Sequence, residues 1–265
     1  MYHPRRLRGL LLTRAQQVLD THTQIKSLPD LSEVLDLHAR LQGVVDILVT
    51  SNDDMDYEPQ SAQGTGFIAV PPSVLADAVV EMMRYAKKTD VSLDLGCGTG
   101  GWVLLCAAAG FASYGIELNP MLVSHAERNY ERAVAAGFID PLTPCAVTVG
   151  DMVPVRFSAA YAAFRKRFFA QERTMPTGAV VEDSYARLPT NVATADIVYC
   201  WAWPTQSRFI FNMLEDEAKP GALFVLPSYT QYMAGEGVSQ AEIPNTLVLF
   251  PLAVVGSVFV GRRAT

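Results

Sequence analysis

Apolar positions early in the chain recur at helical spacing. Val34, Leu35, Leu37, Leu41, Val44, Val45 and Leu48 follow helical spacing, and residues 13 to 49 read as two helices. Asp30 with Glu33 three residues later resembles a capping arrangement. The apolar face is expected to dock on the main domain or on a partner. The stretch SNDDMDYEPQSAQGTG is polar and acidic and reads as a linker or an ordered loop. FIAVPPSVLADAVVEMMRYAKK then gives a short extended piece, a Pro-Pro turn and a helix that starts at Pro72 and Ser73. From residue 91 short apolar runs alternate with helical patterns. VSLDLG, ASYGIELN, PCAVTVGDM, ADIVYCWAWP and GALFVLPSY read as strands. GWVLLCAAAG, PMLVSHAERNYERAVAAG and SRFIFNMLEDEA read as helices. That alternation predicts an α/β fold with a parallel sheet covered on both faces. TLVLFPLAVVGSVFVGRR reads as two strands around Pro251 to Gly256, a terminal hairpin that brings at least one antiparallel strand.

One segment breaks the rhythm. Residues 155 to 190 separate the third strand from the fourth. VRFSAAYAAFRKRFFAQER is helical, aromatic and basic, with Arg156, Arg165, Lys166, Arg167 and Arg173. Long excursions of this kind serve function or flexibility. A lid over a substrate and an oligomerisation or packing element both stay open. The expected organisation is a helical extension and linker over residues 1–60, then a main domain over 61–265 carrying this insertion.

The chain has 265 residues, half of them hydrophobic, and a net charge of −6. The acidic balance argues against a sequence-independent nucleic-acid binder, which would carry a basic stripe. The four cysteines, Cys97, Cys106, Cys145 and Cys200, form no C-x-x-C pair and no zinc-spaced cluster. They read as reduced residues of a cytoplasmic protein, and no metal site is expected. The apolar run near the start is shorter than the roughly 7–15 residues of a signal-peptide core. The late apolar stretch is broken by Pro251 and Gly256, short of the roughly 20 residues of a membrane span. A soluble protein without a membrane partner is expected.

The chemistry gathers where strands end, because ligands of open α/β sheets bind beyond the carboxyl ends of their strands. VSLDLGCGTGG puts Asp94 at the tip of strand one, ahead of a glycine loop. Glu117 and Leu118 follow strand two, and Asp151 and Met152 follow strand three. Trp201, Ala202, Trp203 and Pro204 follow strand four. Gly96, Gly98 and Gly101 also satisfy the dinucleotide pattern, so the glycines alone do not choose a cofactor. A pyrophosphate wants backbone N–H groups and a helix N-terminus, and Asp94 would repel it. S-adenosylmethionine carries an ammonium and a sulfonium, which a carboxylate suits. Glu117 is placed for both ribose hydroxyls, a role shared by both cofactor classes. Asp151 supplies an acceptor for the adenine amino group.

LDLGCGTG, GIELNP and VGDM resemble the consecutive motifs of class I S-adenosylmethionine-dependent methyltransferases, over roughly residues 65 to 230. FIAVPPSVL and IELNPMLV resemble the FAM173-like and archaeal protein-lysine methyltransferase group. Phe67 stands at the Tyr position of that group's Tyr-x-Pro-[Ser/Thr]-Pro loop, and Ala69 at its first Pro. The resemblance implies a Rossmann-like sheet of seven strands, the last antiparallel. It implies that Gly96, Gly98 and Gly100 line the methionine part, that Glu117 binds ribose, and that Asp151 and Met152 flank adenine. The expected cofactor shell is Phe67, Val70, Asp94, Gly96, Cys97, Gly98, Gly100, Glu117, Leu118, Asp151, Met152 and Trp201.

Methyl transfer asks the enzyme mainly for proximity, orientation and a dry site. Tyr199, Trp201 and Trp203 are the candidate catalytic residues, since aromatic faces attract a sulfonium or a methylated ammonium. They favour an amine acceptor, in a protein or a small metabolite. An NAD(P)-dependent oxidoreductase and a non-catalytic binding module remain as alternatives. An oligomer could form through the N-terminal helices or the insertion.

Overall fold

The computed structural model describes residues 31–54, 70–168, 183–201, 204–227, 249–255 and 258–263. Its sheet has seven strands: β1 Val91–Leu95, β2 Ala112–Glu117, β3 Cys145–Val149, β4 Ile197–Cys200, β5 Leu223–Pro227, β6 Leu249–Val255 and β7 Val258–Arg263. The spatial order is β3-β2-β1-β4-β5-β7-β6. The first five strands pair in parallel, and β7 runs antiparallel to both of its neighbours. The helices are α1 Leu31–Asp54, α2 Pro72–Met82, α3 Gly101–Ala108, α4 Pro120–Ala135, α5 Ser158–Phe168 and α6 Pro204–Glu217.

Strand alternation divides the core in two. Successive residues of a strand face opposite sides, so Ile197 and Tyr199 of β4 join one apolar cluster while Val198 and Cys200 join the other. The first cluster holds α1 to α4 against the sheet. The second holds α6, Tyr161 of α5 and the 3-10 turn Ser184–Arg187. Strands covered on both faces read as nearly continuous apolar runs, and burial covers Leu93 to Leu95 and all of β4.

The sequence pattern placed the elements well and their ends less well. The apolar face of α1 docks on the main body: Leu41, Val44, Val45 and Leu48 are buried in the first cluster. The helix runs to Asp54 rather than stopping near residue 49. Tertiary contact extends it, since Ser51 is buried and Asn52 lies beside Thr99. Residues 13–30, with the Asp30 cap, lie outside the described residues. The insertion's helix is a packing element here, with Tyr161 and Phe164 against Phe209 of α6. Pro251 sits inside β6 rather than at the hairpin turn, next to a register shift between Pro251 and Ala253. β6 is an edge strand, where proline removes no obligatory ladder bond. Among the described residues no helix is long and apolar enough to cross a membrane.

Candidate cofactor and acceptor site

The chain leaves β1 at Leu95 and turns at once over the end of β2. The Gly96 and Cys97 N–H groups both donate to the Ile116 carbonyl, at 2.8 and 2.9 Å. Gly96 has φ +84° with open space where a Cβ would lie, so backbone conformation alone demands glycine there. Gly100, at φ +83°, caps the start of α3, and a Cβ there would stand 3.0 Å from the Ala126 Cβ. Cys97 tucks beneath the loop onto β2. It fits because residue 115 has no side chain; a Cβ at Gly115 would lie 2.7 Å from both Cβ and Sγ of Cys97. Burial, then Asp94 and Glu117, pushes the Cys97 thiol well up. It is a packed filler, unsuited to nucleophilic work.

Thr99 is held from two helices. Asn129 of α4 donates to the Thr99 carbonyl at 3.2 Å, and the Thr99 hydroxyl donates to Asn52 Oδ1 of α1 at 3.3 Å. The N-terminal helix therefore touches the glycine loop directly.

Glu117 ties the loop to the second strand tip. Its Oε2 accepts from the Gly98 N–H at 3.0 Å and its Oε1 from the Asn119 N–H at 2.9 Å. Burial raises its carboxyl, while the N–H groups of Asn119, Gly98 and Leu118 pull it back down. A carboxylate offers about four lone-pair positions, so room remains for a ligand's hydroxyls. Asp94, 1% exposed, lies on the sheet face under α1 to α3. Its Oδ1 has no hydrogen-bond partner among the described residues. Desolvation, then the Glu117 charge, holds its carboxyl well above the usual range. A buried acid with an unengaged oxygen, beside a glycine loop, fits a ligand that brings positive charge.

The sign of that shift gives a test. Between the unfolded and folded pKa values the native state holds a proton that the unfolded chain has released. The ligand-free protein is therefore most favoured below the ordinary carboxyl range and loses stability as pH rises toward the native value. Asp94→Asn is expected to gain on wild type with rising pH, by up to about 1.4 kcal/mol per unit, while binding the cationic cofactor more weakly. Denaturant unfolding at several pH values checks this; a pH-independent difference would sink it.

At the third tip, Asp151 Oδ1 accepts from the Val153 N–H at 2.9 Å. Leu118 is 40% exposed beside Glu117, and Val70 and Met152 are half-buried. Beyond β4, Trp201 is half-buried and packs against the first cluster. Tyr199 lies deeper in the same cluster: it is buried and stacks on Trp102, with centroids 4.7 Å apart. Phe67 and Trp203 lie outside the described residues. The sheet thus gathers the loop glycines, Asp94, Glu117, Leu118, Asp151, Met152 and Trp201 along its carboxyl edge. Gly115 and the Asn52–Thr99–Asn129 chain escaped the sequence reading. A lone glycine inside a strand pattern marks close approach and was the available signal for Gly115. No metal-capable group of His, Cys, Asp and Glu occurs among the described residues.

A parallel sheet with this strand order, a glycine loop after β1 and acids at three successive tips defines an α/β protein built for a nucleoside cofactor. A family model described as a methyltransferase domain matches residues 70–203, just over half of the chain, and the chain belongs to that family. It is an S-adenosylmethionine-dependent methyltransferase, which answers the question the glycines left open. No curated protein matches it significantly. Among solved structures it is similar to an RNA methyltransferase from Salinibacter ruber with bound S-adenosyl-L-homocysteine, at 19% identity and TM-score 0.43, covering 74% of this chain and 92% of that one. It is similar to magnesium protoporphyrin IX methyltransferase from Synechocystis PCC 6803, at 13% identity and TM-score 0.46, covering 73% and 83%. An O-methyltransferase from Bacillus cereus matches at 13% identity and TM-score 0.44, covering 94% and 97%.

Proposed function

We propose that the chain transfers the methyl group of S-adenosylmethionine to an amine nitrogen, in a protein or a small molecule. The observation that supports an amine is Trp201, half-buried at the first position past β4, where an aromatic face attracts a cation. The likeness of FIAVPPSVL and IELNPMLV to protein-lysine methyltransferases points the same way. Asp94 and the loop glycines would hold the methionine part, Glu117 the ribose, and Asp151 with Met152 the adenine. The cofactor, when bound, would supply an electrophilic methyl on sulfur: the acceptor nitrogen's lone pair would form the N–C bond as the S–C bond breaks, its electron pair staying on sulfur as a neutral thioether, and the amine proton would leave to solvent. The protein's part is to orient the acceptor and exclude water. In this reading residues 61–265 form the catalytic unit, with 1–60 appended, and four free cysteines favour the cytoplasm.

The test is label transfer from methyl-labelled cofactor to matched amines, lysine peptides, alcohols and thiols. Amines are expected to accept label, increasingly as pH frees the lone pair. Trp201→Ala is expected to lower kcat/KM about tenfold, matching a cation–π contribution of about 1–2 kcal/mol. Label found only on oxygen, sulfur or carbon would overturn the amine reading.

A further inference from the structure

We infer that Ser184 and Tyr185, far from the cofactor motifs in sequence, are positioning residues that fix the Asp151–Met152 backbone and so set recognition of the adenine edge. The inference rests on the reading that Asp151 and Met152 face adenine.

β3 is the outermost strand on its side of the sheet and has only β2 as neighbour. Just past it, the Gly150 N–H donates to the Glu117 carbonyl at 2.9 Å, which secures one flank. The other flank is secured by the 3-10 turn Ser184–Arg187. The Asp151 N–H donates to Ser184 Oγ at 2.9 Å. The Tyr185 hydroxyl donates to the Met152 carbonyl at 2.5 Å. Two adjacent residues of the turn thus hold two adjacent residues of the strand tip.

The approach depends on Gly150. A Cβ there would lie 2.4 Å from Ser184 Cβ and 2.5 Å from its Oγ. The turn is braced by its own hydrogen bonds. Asp183 accepts from the Tyr185 N–H at 3.1 Å, and its carbonyl accepts from Ala186 at 3.0 Å. Tyr185 is 6% exposed and belongs to the second core cluster, so its ring is anchored in the core. Asp151 in turn orients its carboxylate through its bond from the Val153 N–H. A rotation of the Asp151 peptide therefore turns the carboxylate as well. With the Asp151 N–H committed to Ser184, the carboxylate carries this residue's part in base recognition.

The experiment compares the dissociation constants of S-adenosylhomocysteine and its analogue lacking the adenine 6-amino group, by calorimetry on the full chain. Ligand-free unfolding temperature is measured alongside. Wild type is expected to favour the amino compound at least about tenfold. Ser184→Ala and Tyr185→Phe each remove one bond and keep the fold; each is expected to shrink that ratio to threefold or less. A loss of packing alone would weaken both ligands equally and leave the ratio intact, which overturns the proposal. Asp151→Ala is the control. If it abolishes discrimination while Ser184→Ala and Tyr185→Phe keep it, the positioning role falls and the adenine reading stands. If wild type does not discriminate, or Asp151→Ala discriminates as wild type does, the adenine reading falls and takes the proposal with it. Should one of the two turn variants fail to fold, the other decides.

Discussion

Glu117→Ala is expected to weaken S-adenosylhomocysteine binding by about 100-fold, near 2.7 kcal/mol. The substitution acts twice. It removes the carboxylate proposed to accept the ribose hydroxyls, and a hydrogen bond to a charged group contributes about 1.5–3 kcal/mol. It also takes away the acceptor of the Gly98 N–H, so the glycine loop keeps only its bonds from Gly96 and Cys97 to the Ile116 carbonyl of β2. The two effects separate with a 2′-deoxyribose analogue. If Glu117 binds ribose, wild type prefers the ribose compound and Glu117→Ala does not. Glu117→Gln keeps one carbonyl oxygen and is expected to fall between, about tenfold weaker. Unchanged affinity in Glu117→Ala would remove Glu117 from the site. Loss of affinity with the ribose preference intact would leave it only the loop-holding role.

Why Glu117 was legible, and Trp102 was not, follows from how each residue acts. The three acids stand at or just past the ends of short apolar runs, so the alternation of strand and helix patterns put each near a strand end. Chemistry at strand tips is what the topology of a parallel sheet dictates. The loop glycines were legible because positive φ leaves few alternatives. What stayed hidden depends on pairs distant in sequence. Nothing near Asp151 announces Ser184, and nothing near Thr99 announces Asn52. Tyr199 was grouped with Trp201 because both stand in one aromatic run, YCWAWP. The end of the strand separates them: Tyr199 lies inside β4, buried and stacked on Trp102, while Trp201 is the first residue past β4 and only half-buried. The bounds of α1 and the placing of Pro251 in β6 missed for the same reason, since tertiary contact and edge position decided them.

The partner that Tyr199 found is the basis of the second large effect. Trp102 is the second residue of α3, directly behind the glycine loop. It is 1% exposed and stacks nearly parallel on Tyr199, the two rings tilted by 13°. Its Nε1 donates to Ser92 Oγ on β1 at 2.9 Å, so a buried polar atom on each side is satisfied. One side chain thus fastens α3 to both central strands, β1 and β4. Truncation to alanine leaves a cavity that rigid strands cannot fill and leaves the Ser92 hydroxyl without its donor. Trp→Ala in such a core costs about 3–5 kcal/mol, a large share of the roughly 5–15 kcal/mol that keeps a domain folded. Trp102→Phe keeps a ring against Tyr199 and loses the N–H, so it is expected to cost less, about 1–3 kcal/mol. Denaturant unfolding of the two variants tests this. A Trp102→Ala loss below about 1 kcal/mol would mean that α3 is held by its other contacts. The expected loss would also lower cofactor affinity, because the loop from Gly96 to Gly100 is anchored at its far end by this helix.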